Sequence, residues 1–278
     1  MSFDPALPDD EVNVSRTHPL REAALLVGGL LGVVVLLALL TALAVDLVVP
    51  RLPARLEMKI FSGGWLAPAG EAEEPDADAA LLQDLVERLA RHWPENPYTL
   101  RARVWQEEQV NAFALPGGWI VVSTGLLEQT ASENELAFVV GHEIGHFRNR
   151  DHLRGLGRGV ALGLVLAALS TSGTGSAADL ASLAGQLAQR SFDRDQEINA
   201  DAFGLALVAA EYGHVAGAGD FFRKAPGEGG LLGENLEGYL STHPLHEDRI
   251  EALAALAAER GWPTQSALVP LRGDVVEY

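Results

Sequence analysis

Cysteine is absent from this chain of 278 residues. Its absence excludes disulfides, thiol nucleophiles and cysteine-bound metal, and leaves histidine, aspartate and glutamate as the strong ligands. Basic side chains are scarce as well: 20 lysines and arginines face 38 aspartates and glutamates, a formal charge of −18. That balance argues against nucleic acid and against electrostatic docking on anionic lipid, since both need basic surface. What remains is an acidic, solvated surface. There is no internal repeat, and the length suits one sizeable domain with appendages.

Long apolar runs are few, which makes the first one conspicuous. From Ala23 to Val45 no residue is charged, and apolar character continues past Asp46 to Val49. At 1.5 Å per residue, a helix of this length exceeds the ~30 Å hydrocarbon core of a bilayer. Arg16 and Arg21 flank one end; Arg51, Arg55 and Lys59 flank the other. A cleaved signal peptide is the rival reading, and Ala42-Leu43-Ala44 does imitate a cleavage site. The run is too long for one, however, and the leader is acidic (Asp4, Asp9, Asp10, Glu11) where a signal peptide is basic. The expectation is a leader over 1–22 and one uncleaved transmembrane helix over 23–49. The flanking charges do not fix its orientation. A single anchor after a short leader commonly exports the domain behind it, which favours the periplasmic side of a bacterial-type inner membrane. The basic residues point mildly the other way.

Pro50 and Pro53 stop the helix, and 50–77 reads as a linker in which glycine, proline and acidic residues crowd after position 62. Residues 78–91 then show helical periodicity, with Leu81, Leu82, Leu85, Val86 and Leu89 on one stripe. Short strands are expected over 100–106, 110–114 and Trp119–Ser123, with Pro116-Gly117-Gly118 as the turn before the third. Ser132 with Glu135 three residues later forms a capping-box start for the next helix. The twelve apolar residues 159–170 are too few to span a bilayer and read as a buried core helix, with an interfacial or re-entrant segment as the alternative. A long helical stretch covers about 177–210, with a break near Ser191–Asp193, and a last helix runs from Glu247 to Arg260. The fold class is therefore α+β and mostly helical: one domain over 78–260 with a small β-sheet, then a tail over 261–278.

The helix opened by Ser132 contains His142-Glu143-Ile144-Gly145-His146. Residues four apart share a helix face, so the two histidines can bind one metal ion together, with Glu143 beside them to activate water. A catalytic site of this kind needs a third protein ligand and an open position. Asp193, Asp195, Glu197, Asp201, His152, His214 and His243 are all candidates. Glu197 and Asp201 stand out because they are four apart on a helical stretch. One can reach the metal while the other accepts a hydrogen bond from a ligand histidine's free ring nitrogen.

Behind His142–His146 stand Phe147-Arg148-Asn149-Arg150-Asp151-His152, and three further segments accompany them in order. These are Asn111–Gly118 with Ile120–Leu127, Arg194-Asp195-Gln196-Glu197 through Asp201, and Ser241-Thr242-His243-Pro244 with Arg249-Ile250. In these four motifs the chain resembles the HtpX and CAAX-prenyl-protease family of gluzincin metallopeptidases, which includes Oma- and BepA-like members. The resemblance covers about 78–260 and implies a zincin-type domain and a membrane-anchored zinc endopeptidase acting on misfolded or membrane-associated proteins. It implies one zinc ion on His142, His146 and Glu197, Glu143 as general base, Asp201 behind a zinc histidine, and His243 at the oxyanion. Asn111 and the strand residues Trp119, Ile120 and Val121 become candidates for aligning an extended peptide along a sheet edge. Arg148, Arg150 and Arg249 take no role beyond that of candidate salt-bridge partners. A module that binds unfolded chains without cleaving them is the alternative, and a non-proteolytic zinc hydrolase is a third.

Overall fold

The computed structural model describes residues 18–62, 77–157, 159, 192–223, 237–244 and 247–271. The expectations for 63–76 and for the apolar segment 159–170 fall almost wholly outside them. Helix α1, Pro19–Val48, is 30 residues long with a mean hydropathy of 2.9 over its best window, and none of that window is buried. It is the one helix among the described residues long and apolar enough to cross a membrane. A 3-10 turn, Val49–Arg51, leads through Pro53 into a short helix α2, Ala54–Ile60.

Helix α3, Ala77–Ala90, buries Leu82, Leu85, Val86 and Leu89, the stripe its periodicity predicts, against the sheet and the helices behind it. Among the described residues the sheet has three strands, β1 (Arg101–Trp105), β2 (Ala112–Leu115) and β3 (Trp119–Ser123), in the order β1-β3-β2. β1 pairs with β3 in parallel; β2 and β3 form an antiparallel hairpin through Gly117 and Gly118, whose φ values of 92° and 88° suit only glycine. Alternation sends Ala112, Ala114, Ile120 and Val122 into the main core, while Phe113, Leu115 and Val121 pack with Trp105 and Trp119 on the other face.

This order corrects one expectation. Trp119, Ile120 and Val121 belong to the central strand: each is in register with Arg101, Ala102 or Arg103 on one side and Leu115, Ala114 or Phe113 on the other. With both rows of backbone groups already paired, β3 cannot add a substrate strand. Among the described residues, the edges are β1 and β2.

Helix α4, Thr124–Gln129, is capped by Ser123; α5, Glu133–Asn149, is capped by Ser132, whose hydroxyl accepts from Glu135 N at 3.2 Å. The return half of that capping box differs from expectation, because Glu135 Oε2 accepts from Ala131 N rather than from Ser132 N. The next described long helix, α6 (Arg194–Tyr212), starts in a full capping box between Asp193 and Gln196. Short helices α7 (Asp220–Arg223) and α8 (Glu237–Thr242) come next, and α9 (Glu247–Arg260) has the predicted bounds.

The contact that shapes the molecule is between α5 and α6. A Cβ on Gly145 would come within 2.7 Å of Ala200 Cα, and one on Gly141 within 3.1 Å of Gly204 Cα. Small residues at both crossings let the two backbones approach until side chains one turn away reach across the seam.

Candidate metal centre

Helix α5 turns His142, Glu143 and His146 inward, and all three are solvent-inaccessible. Helix α6 brings Glu197 and Asp201 to the same place, and the end of α8 brings His243. His142, His146, Glu197 and His243 each offer one donor atom, and the four atoms lie within 4.8 Å of one another. Three segments distant in sequence thus converge on one point.

The second nitrogens of the histidines explain why that point favours a cation. His142 Nδ1 donates to Asp201 Oδ1 at 2.8 Å, and His146 Nδ1 donates to Asp151 Oδ2 at 3.1 Å. Each carboxylate fixes its imidazole with the proton on Nδ1 and the lone pair on Nε2. The two Nε2 atoms then face each other at 3.0 Å. Glu197 closes the ring, with Oε1 at 3.4 Å from His146 Nε2 and Oε2 at 3.6 Å from His142 Nε2. Buried lone pairs and a carboxylate directed at one point fit a divalent cation of the zinc class in ligand type and number.

The charges agree. Burial alone would lower His146, but its hydrogen bonds to Asp151 and Glu197 and the nearby Glu143 outweigh that, and it is pushed up to about 10. Burial dominates at His142 and pushes it down despite Glu197 and Asp201. Glu197 is held far below the carboxylate range: burial resists, but the His243 and His142 charges and hydrogen bonds with His146 and His243 prevail. The carboxylates thus favour positive charge at His146, while burial disfavours it at His142.

Glu143 differs from its neighbours. Both of its carboxylate oxygens are buried without a hydrogen bond, and His243 Nε2, equally unpartnered, lies 3.5 Å from Oε1. His243 Nδ1 sits 3.2 Å from Glu197 Oε1 and 3.1 Å from His142 Nε2. Phe192 stacks on His146 with centroids 3.9 Å apart, and Tyr239 stacks on His243 at 4.5 Å.

One contributor, Asp151, escapes the sequence reading, and a second, Arg249, stands there as a candidate salt-bridge partner without a place at the site. Asp151 lies past the end of α5, where Arg150 takes the left-handed conformation (φ 62°) and turns the chain back towards His146. Gln196 then holds Asp151 Oδ1 at 2.8 Å. Arg249, fully buried, grips Asp201 through two hydrogen bonds of 2.7 and 2.8 Å and pairs with Glu197 Oε2 at 2.7 Å. A signal existed for it: Arg249, Leu253 and Ala257 recur every four residues, which puts a charge on the buried face of α9. Of the other arginines, Arg150 donates to Val49 O and Leu52 O at the foot of α1, and Arg148 lies over the Phe203 ring. Asn111 is buried immediately before β2 with Oδ1 unpartnered.

Comparison with known proteins agrees with this geometry. The chain is 38% identical over 152 residues to the mitochondrial metalloendopeptidase OMA1 of Arabidopsis thaliana, covering 54% of this chain and 30% of that protein. It is 30% identical over 210 residues to the beta-barrel assembly-enhancing protease of Yersinia pestis, covering 70% and 43%. To a protease HtpX homolog of Salinibacter ruber it is 28% identical over 220 residues, covering 68% and 78%. The chain thus spans less than half the length of the first two relatives. The profile of peptidase family M48 matches residues 76–257, which take in every side chain of the centre. The chain belongs to peptidase family M48.

Proposed function

We propose that this chain is a membrane-anchored zinc endopeptidase that cleaves misfolded or membrane-associated proteins. The observation that carries the reading is Glu143: a buried carboxylate with no hydrogen bond, beside two histidines whose lone pairs converge. An adaptor that only held unfolded chains would have no use for it, and leaving such a group unpaired is costly.

His142, His146 and Glu197 would hold one zinc ion, which when bound supplies Lewis acidity to acidify water and polarise the scissile carbonyl. Glu143 takes the proton of the attacking water and delivers it to the departing amine as the C–N bond breaks. His243, through its free Nε2, donates to the oxyanion of the tetrahedral intermediate. Asp201 and Asp151 keep the two imidazoles in the tautomer that leaves Nε2 free to coordinate. Peptide alignment passes from the saturated β3 to the edge strand β2, which packs against α5 and directly follows Asn111. Because every donor of the centre is buried, a polypeptide reaches it only when the covering side chains give way.

Helix α1 supports membrane anchoring. The periplasmic side is part of this proposal, and protease accessibility of the domain in spheroplasts decides it. For the activity, the test is cleavage of an unfolded polypeptide by the full chain in a bilayer. Cleavage should stop with a chelator and return with stoichiometric zinc; activity that persists without metal sinks the reading.

A further inference from the structure

Outside α1, the large apolar side chains exposed among the described residues are Leu56, Ile60, Leu268 and Val269. Two of these sit on α2, directly after the membrane-length helix. Leu56 is 45% and Ile60 52% exposed. Beside them on the same short helix are Arg55 and Lys59, also four apart and also exposed. Arg51 and Leu52 repeat the basic–apolar pair four residues earlier. Among the described residues, neither Arg55 nor Lys59 has an ion-pair partner.

The orientation of this face is fixed from behind. Glu57, on the opposite side of α2, is fully buried and accepts hydrogen bonds from His152 at 2.9 Å, Tyr98 at 2.9 Å and Gly117 N at 3.1 Å. Arg150 ties the preceding turn through Val49 O and Leu52 O. Helix α2 therefore cannot roll its apolar row inward without breaking a buried network.

We propose that the outward face of α2 lies on the bilayer surface, with Leu56 and Ile60 at the acyl boundary and Arg55 and Lys59, joined by Arg51, against anionic phospholipid headgroups. The inference rests on α1 as the membrane anchor. A helix with a basic row beside an apolar row lies in the interface by this combination of burial and charge. The formal charge of −18 acts the opposite way on the rest of the chain, which an anionic surface repels. Among the described residues, α2 is where exposed basic and apolar rows lie side by side next to α1, and docking there holds the domain with a set orientation above the lipid.

The absence of cysteine makes the test direct. Single variants Leu56→Cys, Ile60→Cys, Glu128→Cys and Val35→Cys of the full chain carry an environment-sensitive fluorophore. Each is reconstituted in phosphatidylcholine vesicles with or without phosphatidylglycerol, and doxyl-labelled lipids serve as quencher. Labels at 56 and 60 should be quenched in the anionic vesicles and less so in the neutral ones, while the label at 128, on exposed Glu128 of α4, stays unquenched. Adding Arg55→Glu and Lys59→Glu should undo the anionic preference, each lost basic charge weakening docking roughly fivefold. If 56 and 60 behave like 128 while 35 is quenched, the anchor stands and the docking proposal fails. Equal quenching in both lipids, or shielding from water without quenching by lipid, overturns it as well. An unquenched label at 35 would instead remove the anchor on which it rests.

Discussion

Glu57 Oε1 and His152 Nε2 stand 2.9 Å apart, joining the helix at the foot of the anchor to the residue next to Asp151. Asp151 in turn orients His146. The juxtamembrane helix is thus part of the scaffold of the metal centre rather than a free tether.

Replacing Glu57 with alanine should strand His152, the Tyr98 hydroxyl and Gly117 N, at a cost of about 3 kcal/mol in urea unfolding of the domain. Glu57→Gln separates charge from shape. Burial works against the Glu57 carboxylate, but its bonds to His152, Gly117 and Tyr98 outweigh that and hold its pKa below the usual value. A lowered native value contributes stability above the unfolded pKa of about 4.3, and the contribution fades as pH falls through the native value. The gap between wild type and Glu57→Gln should therefore be full at neutral pH and shrink below about pH 4.3. A gap that grows on acidification would contradict the assignment.

Asp201→Asn and Asp151→Asn should each weaken metal binding by about 10–100-fold in chelator competition, because each frees an imidazole to turn or change tautomer. The Asp201 change should also lower the unfolding temperature more, since Asp201 holds Arg249 as well. Equal metal affinity in wild type and both variants would place the ion elsewhere.

Arg249→Met leaves the Asp201 and Glu197 carboxylates buried without their guanidinium. Removing one partner of such a group costs about 3–5 kcal/mol, read as a drop in unfolding temperature at saturating metal. Arg249→Lys should fall between, because an ammonium cannot reproduce the two-pronged contact with Asp201.

His243→Ala distinguishes two roles that its position allows. With His243 acting at the oxyanion, metal content stays at one ion per chain while the cleavage rate falls about 10²–10³-fold. Metal content and rate falling together would make it a ligand instead.

Much of this site was legible because helical spacing reports directly on one face. His142, Glu143 and His146 needed no partner to be recognised, and Glu197 with Asp201 emerged from a second spacing of four. The helix bounds of α9 and the stripe of α3 were readable for the same reason. Long-range placement was not. Whether Trp119–Val121 lies at an edge depends on β1 pairing in parallel with β3 across a connection that local pattern does not encode. Asp151 reaches His146 only because Arg150 adopts the left-handed conformation, a residue type with no preference for it. Glu57 gave no signal at all: a glutamate on a short helix looks solvated until His152, 95 positions later, folds against it.

The central claim is that Glu143 performs proton transfer at a metal held by its neighbours. The most direct measurement is zinc content and unfolded-casein cleavage, side by side, for wild type and Glu143→Gln in the same bilayer. The expected result is one zinc ion per chain in both, with cleavage by the wild type and a loss of at least about 10²-fold in the variant. Cleavage by Glu143→Gln at the wild-type rate, or none by a folded, zinc-loaded wild type, would contradict it.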